Sequence, residues 1–444
     1  MTTVVTVTPH PALDQTVRVP NLTLGDVNRA ASLEFNAGGK GVNVAGCLAD
    51  YGIATIATGL LGAADSAAFD AMFADKRIVD RFVRIAGRTR INVKLVDPAR
   101  GETTDINLAT SLPTPDDVAA LERRMIELAA PGRWFVLAGS LPPGVDASFY
   151  RRATRALHGA GARVALDTSG APLADALAAD DPRELPDLVK PNLVELEAAL
   201  GRALGDDDAI VHAACELAAR GIAYVVVSLG AKGALGVAAG ASGASEASEA
   251  SEAPAVSKAS IASKASVGSR TFDAGESSKR ATGETVDALA SSSASSGGDG
   301  RPSSTGRSAS PASPASTSPT STSPASTSLA STSTSTSTTA GASTSPQRTP
   351  PHPAIYRIFR ATPPRVPVAS TVGAGDAFVA GLVASLTEAR AWGDAGRRAT
   401  AFAAAKLARV GPHLPDRATL DALAAQVEVE TFTLAAAADG VVHS

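Results

Sequence analysis

The sequence predicts an α/β fold, with a mainly parallel central sheet covered by helices on both faces and a small separate β-sheet beside it. Three observations carry this. Apolar, β-branched runs without polar alternation are interleaved with helix-period patterns, as expected of strands buried on both faces. Two early segments alternate polar and apolar residues instead, the mark of a sheet with one wet face. Residues 241–353 differ so sharply in composition that they belong to neither sheet.

The first buried strand is Val4–Pro9, VVTVTP. Arg133–Gly139, Ala162–Ser169, Leu185–Asn192 and Ala223–Gly230 are of the same kind. Between them VNVAGCLADYG, DDVAALERRMIELAA, SFYRRATRALHGAG, NLVELEAAL and AIVHAACELAARG show helical spacing. Several end in the glycine that stops helices. Strands alternating with helices predict parallel pairing. Thr16–Phe35 and Thr89–Leu108 are the alternating segments, the second with a hairpin turn around Asp97–Gly101. They predict antiparallel lid strands at roughly 14–35 and 88–110, in a sheet that can close over a ligand or pair with a second subunit.

The 444 residues are length enough for two or three domains. Residues 241–353, however, are rich in Ser, Thr, Ala and Pro, with Phe272 as their sole aromatic residue. Such a segment buries too little to offset its ordering entropy, so a disordered insertion is expected. It interrupts a body formed by residues 1–240 and 354–436, with 437–444 a tail. A net charge of -4 leaves no basic footprint for nucleic acid. Cys47 and Cys215 lie in Ala/Leu-rich helical stretches and read as buried thiols, not as a metal pattern or a disulfide framework. The N-terminus lacks the charged and apolar regions of a signal peptide. No apolar run is long enough to span a bilayer, so a cytoplasmic protein is expected.

STVGAGDAFVAG, Ser370–Gly381, sets Gly373, Ala374 and Gly375 before a helix and Asp376 in its first turn. The glycines let backbone N–H groups approach a ligand, and a helix N-terminus favours an anion. From these residues alone, a plain helix start and a phosphate cradle with a base at its rim are equally open. If phosphate binds there, Asp376 is placed to take a proton from an attacking hydroxyl. FNAGGKGVNVAG, Phe35–Gly46, is a second glycine-rich loop. Its spacing, with no Ser or Thr after Lys40, excludes a Walker A loop. Gly38 and Gly39 let the backbone approach a sugar and Asn43 offers a bidentate amide, though a tight turn and a helix cap fit as well.

Asn192 and Glu195 share a helix face. They can hold water or Mg²⁺ beside a nucleotide, or simply open a solvated helix. Ser228, Gly230 and Gly233 stand at a strand end, where open α/β sheets bind ligands, or in an ordinary β-turn. Asp14, just beyond the first strand, can accept two sugar hydroxyls or be a turn acid. Arg90, Asn92 and Lys94 share one strand face. They suit a phosphate, or the wet face of a lid. His10, His212 and His413 are isolated and receive no role.

PALD, GGKGVNVA, TRINVKL, AGSLPPG, DTSG, KPNLVEL, VVVSLGAKGAL and STVGAGDAFVAG cover nearly the whole chain outside the insertion. Their order and combination resemble the ribokinase/PfkB carbohydrate kinase family, of which GAGD is the most specific element. GGKG, TRINVKL and TDIN (Thr104–Asn107) resemble the phosphosugar kinases within it. Ser370, where many relatives carry Asp, resembles the subgroup acting on fructose phosphates.

The resemblance implies a ribokinase-like three-layer sandwich with a small β lid. It implies Mg²⁺-dependent transfer of the ATP γ-phosphoryl to the C6 hydroxyl of fructose 1-phosphate. Asp376 is then the general base, and Gly373, Ala374 and Gly375 form the anion hole. Asp14, Gly38, Gly39 and Asn43 hold the sugar. Lys40, Arg90, Asn92 and Lys94, with Asn107 and Ser140, serve its existing phosphate. Asn192, Ser228, Gly230, Gly233 and Gly375 border ATP, and Glu195 binds Mg²⁺ through water. A homodimer clasped by the lid is implied, with no nucleic-acid or membrane partner. Tagatose 6-phosphate or fructose 6-phosphate is the alternative acceptor. A non-catalytic sugar-phosphate-binding regulator is the alternative from another class. The insertion is expected to bear on the nucleotide edge rather than on the sugar side.

Overall fold

The computed structural model describes residues 3–108, 112–240, 355–409, 411 and 413–435. The expected disordered insertion at 241–353 and the tail at 437–444 lie outside the described residues. The chain opens with β1 (Thr3–Thr8), β2 (Ala12–Arg18), β3 (Ser32–Gly38), α1 (Lys40–Tyr51) and β4 (Ala54–Gly62). Then come α2 (Ala67–Asp75), β5 (Val79–Asp80), β6 (Val83–Ile85), β7 (Arg90–Asp97) and β8 (Glu102–Asn107). The middle holds α3 (Pro115–Leu128), β9 (Trp134–Ala138), α4 (Phe149–Gly159), β10 (Arg163–Asp167) and α5 (Ala171–Leu177). It continues with β11 (Leu188–Val189), α6 (Leu193–Leu200), α7 (Asp207–Ala219), β12 (Tyr224–Ser228) and β13 (Ala234–Ala239). Beyond the insertion come β14 (Ile355–Thr362), α8 (Ala374–Thr387), α9 (Trp392–Leu407), α10 (Arg417–Ala424) and β15 (Glu428–Ala435).

The main sheet runs β15-β14-β13-β12-β11-β10-β9-β1-β4-β5, with β6 also on β4. From β12 to β5 the pairs are parallel; β12 to β15 are antiparallel. Alternate strand residues feed opposite layers. Val4, Val136 and Ala138 pack under α1, α8 and α9, whereas Val5, Val7, Phe135 and Leu137 pack with α3 and α4. This two-sided burial explains why those strands show no polar alternation. Helix α8 is apolar all round because it is buried among neighbours: a Cβ on Gly381 would lie 2.7 Å from the Cα of Ala399 on α9. No helix among the described residues is long and apolar enough to cross a membrane.

Two sequence expectations need correction. The lid is one four-stranded sheet, β3-β2-β7-β8, but β2 and β7 pair in parallel rather than antiparallel. Between them the chain passes through α1, β4 and α2 and re-enters in the same direction, which a long crossover allows. The strand expected over Leu185–Asn192 shrinks to two residues, because Pro186 and Pro191 flank it without donors. The insertion lies between β13 and β14, as its place in the sequence predicts. Its ends, Gly240 and Ile355, are joined by a backbone hydrogen bond of 2.9 Å beyond the Ala239–Tyr356 pair. That is the end of the sheet at which β12 begins, opposite Ser228.

Candidate active site

Two helices begin side by side above the C-terminal ends of the parallel strands, where open α/β sheets place their ligands. Gly39 (φ 113°) precedes α1, and Gly373 (φ 78°) precedes α8. Both positions favour glycine because the left-handed region strains other residues. At Gly39 a side chain would also meet Thr8 Cγ2 at 2.9 Å.

Asp376, in the first turn of α8, is 7% exposed. Asn43 of α1 donates its amide to Asp376 Oδ2 at 2.7 Å. Burial, with the charge of Asp167 added, pushes the Asp376 carboxyl up to about 6. The Asn43 bond and the cations Lys40 and Lys190 hold it from going higher. A carboxylate in this range is a competent base near neutral pH.

Asp167 ends β10 and gathers two lysines on one oxygen, Lys40 at 3.1 Å and Lys190 at 3.2 Å. Its other oxygen, Oδ2, is buried and has no hydrogen-bond partner among the described residues. Burial works against charge on Lys40, but Asp167, Asp376 and Glu195 outweigh it and raise its pKa. A Cβ on Gly375 would find the Lys190 ammonium at 4.0 Å. Lys190 therefore stands beside the turn that opens α8, and both lysines act on the charge of Asp376. Glu195 and Asn192 form a reciprocal cap: Glu195 N–H donates to Asn192 Oδ1 at 2.8 Å, and Asn192 N–H to Glu195 Oε2 at 2.9 Å. Among the described residues no hydrogen bond engages Glu195 Oε1.

On the lid side a cavity of about 370 Å³ is lined by Asp14, Asn43, Lys94, Asp105, Gly373 and Lys406 among others. The lid contributes a polar row in register, Asn36–Asp14–Asn92–Asn107. Asn92 donates to Asp14 Oδ1 at 2.9 Å, and Lys94 stands 3.8 Å from Asp14 and 3.7 Å from Asp105. A Cβ on Gly38 would lie 2.6 Å from Asp14 Oδ2, so glycine keeps that carboxylate in place.

The remaining expected residues are distributed differently. Arg90 spends its guanidinium on the carbonyls of Pro11 and His10, at 3.3 and 3.1 Å. His10 in turn meets Ser140 Oγ at 3.3 Å, so Arg90 and Ser140 form a group joined through a histidine given no role from sequence. Lys40 stands with Asp167, not with Arg90 and Lys94. Asn192, Ser228 and Gly230 line a second cavity of about 450 Å³. Gly233 is not among its lining residues; a Cβ there would strike the carbonyl oxygen of Ala361 at 1.9 Å, so that glycine serves strand pairing.

Asp167, Lys190 and Lys406 were not singled out from sequence. For the first two the signal lay inside DTSG and KPN, an acid and a lysine each closing a buried strand. Among the described residues no three His, Cys, Asp or Glu side chains gather to cage a metal. The donors that exist, Glu195 Oε1 and the unpartnered Asp167 Oδ2, suit a cation that keeps most of its water, as Mg²⁺ does.

Comparison with known proteins identifies the family. Residues 11–260 and 356–418 match the pfkB family of carbohydrate kinases. A 1-phosphofructokinase from Rhodobacter capsulatus is 34% identical over 430 residues, covering 97% of this chain and 98% of that one. Another, from Xanthomonas campestris pv. campestris, is 46% identical over 229 residues, 52% of this chain and 72% of its own. The crystal structure of Escherichia coli phosphofructokinase-2 in complex with fructose-6-phosphate shares the fold at 23% identity, with a TM-score of 0.63 over 96% of this chain and 99% of that one. Taken with the glycine turn, the buried acid and the lid, these matches make the chain a member of the pfkB family of carbohydrate kinases.

Proposed function

We propose that this sugar kinase transfers the γ-phosphoryl of ATP to the C6 hydroxyl of fructose 1-phosphate, giving fructose 1,6-bisphosphate. The observation that carries the reading is Asp376, a buried carboxyl near pKa 6 where the acceptor cavity meets the glycine turn of α8. The choice of acceptor rests on the relative from Rhodobacter capsulatus, a 1-phosphofructokinase matched over almost the whole of both chains.

Asp14 and Asn43 hold the sugar hydroxyls, with Gly38 and Gly39 bringing the backbone close. Lys94, Asn92, Arg90, Ser140 and Asn107 surround its existing phosphate. Asp376 accepts the proton of the C6 hydroxyl. The N–H groups of Gly373, Ala374 and Gly375 face the transferred group, with Lys40 and Lys190 nearby. Fixed donors and cations of this kind supply most of the catalysis in phosphoryl transfer. ATP lies along Asn192, Ser228 and Gly230. Mg²⁺ is held through water by Glu195, and when bound it neutralises phosphate charge. Closing the lid removes water and limits wasteful hydrolysis of ATP.

The catalytic body is residues 1–240 and 354–436, and the reaction is cytoplasmic. The lid face opposite the cavity carries Leu33, Phe35 and Ile106, all about half exposed. We assign that apolar face to a homodimer contact. A coupled ADP-release assay on fructose 1-phosphate, fructose 6-phosphate and tagatose 6-phosphate tests the acceptor. Preference for fructose 1-phosphate is expected; preference for either 6-phosphate would overturn the assignment. ATP-independent binding of all three without turnover would indicate a regulator.

A further inference from the structure

Lys40, Lys76, Lys94 and Lys190 each face a carboxylate. Lys406 is 6% exposed, yet among the described residues no carboxylate lies within ion-pair distance of it. Its ammonium donates to the backbone carbonyl of Gly411. It also sits in the last turn of α9, where the helix dipole favours a cation. These two contacts give the buried charge a place without neutralising it.

Its other neighbours are those of the phosphoryl-transfer site. A Cβ on Gly373 would lie 3.1 Å from Lys406 Cε, and 3.9 Å from both Asn43 Nδ2 and Asp376 Oδ2. Lys406 lines the acceptor cavity with Gly373 and Asn43. The segment leading into the glycine turn is fastened to the same helix end: the N–H groups of Ala369 and Ser370 both donate to the carbonyl of Leu407, at 2.8 and 3.2 Å. One helix C-terminus therefore anchors the approach to the turn and sets an unneutralised cation against its first glycine.

We infer that Lys406 is a positioning residue for phosphoryl transfer, a fixed internal cation that holds the Ser370–Gly373 turn and adds positive charge behind the transferred group. The inference rests on the kinase reading above. Charge placed in a buried site before the reaction begins needs no rearrangement when the transition state forms. The charged and titratable groups around it are Cys47 and Asp50 of α1, Lys76 at the end of α2, and Asp376. Lys76 in turn meets His413 at 3.0 Å. Toward Asp376 the others are Asp167, Lys40 and Lys190. Burial lowers the pKa of Lys406, and Asp376 is among the groups that support its charge.

The test is Lys406→Met, which keeps length and removes charge, beside Lys406→Gln, which keeps a donor for the Gly411 carbonyl. Both are expected to lower kcat about tenfold to a hundredfold, with KM for ATP within about twofold. Both are also expected to move the acidic limb of the kcat/KM profile to higher pH, because Asp376 loses a nearby cation. A glutamine variant with unchanged kcat and an unmoved limb overturns the inference, even if the methionine variant fails to fold. An unmodified chain that phosphorylates none of the three sugar phosphates overturns the kinase reading, and this inference with it.

Discussion

Asn43 of α1 and Asp376 of α8 are joined by a 2.7 Å hydrogen bond that ties together the two helix N-termini of the site. The bond has an electrostatic as well as a structural effect. It favours the ionised carboxylate, against burial and against Asp167. Asn43→Ala should therefore raise the Asp376 pKa further and move the acidic limb of kcat/KM to higher pH. A pH–rate profile with an unshifted limb would separate Asn43 from the base.

The unmodified enzyme should lose activity as pH falls through about 6, because Asp376 must be ionised to accept a proton. The same raised pKa has the opposite sense for stability. The folded state holds this proton more tightly than the unfolded state, so the stabilisation is complete below about 4 and is lost as pH rises through about 6. Asp376→Asn should thus raise stability at pH 8 by on the order of 1–3 kcal/mol and change it little at pH 4. Urea denaturation at the two pH values checks this; equal effects at both would contradict it.

Asp167→Asn leaves the buried Lys190 without its counter-charge, and Lys40 with a weaker partner. Breaking a buried pair in this way costs about 3–5 kcal/mol. A shift of that order in urea denaturation is expected, with a fall in kcat. A variant as stable and as active as the parent would remove Asp167 from the site's framework.

Phe35 is 54% exposed on the outer lid face, in register with Gln15, Val93 and Ile106. Phe35→Glu should dissociate a lid-mediated dimer, read as a halved mass by light scattering. A mass unchanged in the variant, or a monomeric parent, would contradict the clasp.

Gly240 and Ile355 are already hydrogen-bonded neighbours on adjacent strands. Replacing residues 241–354 with an Asn-Gly turn should therefore preserve folding, and kcat within about threefold, since loop length adds little closure cost. Loss of activity in a folded deletion variant would give the segment a catalytic role.

Much of this architecture was legible in the sequence, for identifiable reasons. Buried parallel strands such as Trp134–Ala138 announce themselves by unbroken apolar runs, and the lid by its alternation. The glycine turns before Lys40 and Ala374 were equally plain. What escaped depended on distant partners. β4, ATIATGLLG, carries small residues whose burial comes from its neighbours, and the edge strand β15 is largely exposed. Asp167, Lys190 and Lys406 each sit at the end of an ordinary-looking element. Only the fold shows that Asp167 lies between two lysines, or that Lys406 reaches Gly373. The direction of β7 depends likewise on a crossover that no local pattern encodes.

The proposed mechanism turns on Asp376 as the base of the phosphoryl transfer. Steady-state turnover of Asp376→Asn with ATP and fructose 1-phosphate, alongside calorimetric ATP binding, tests it most directly. A kcat about 100- to 10,000-fold below the parent is expected, with ATP affinity largely intact. A near-parental kcat in that variant would contradict it.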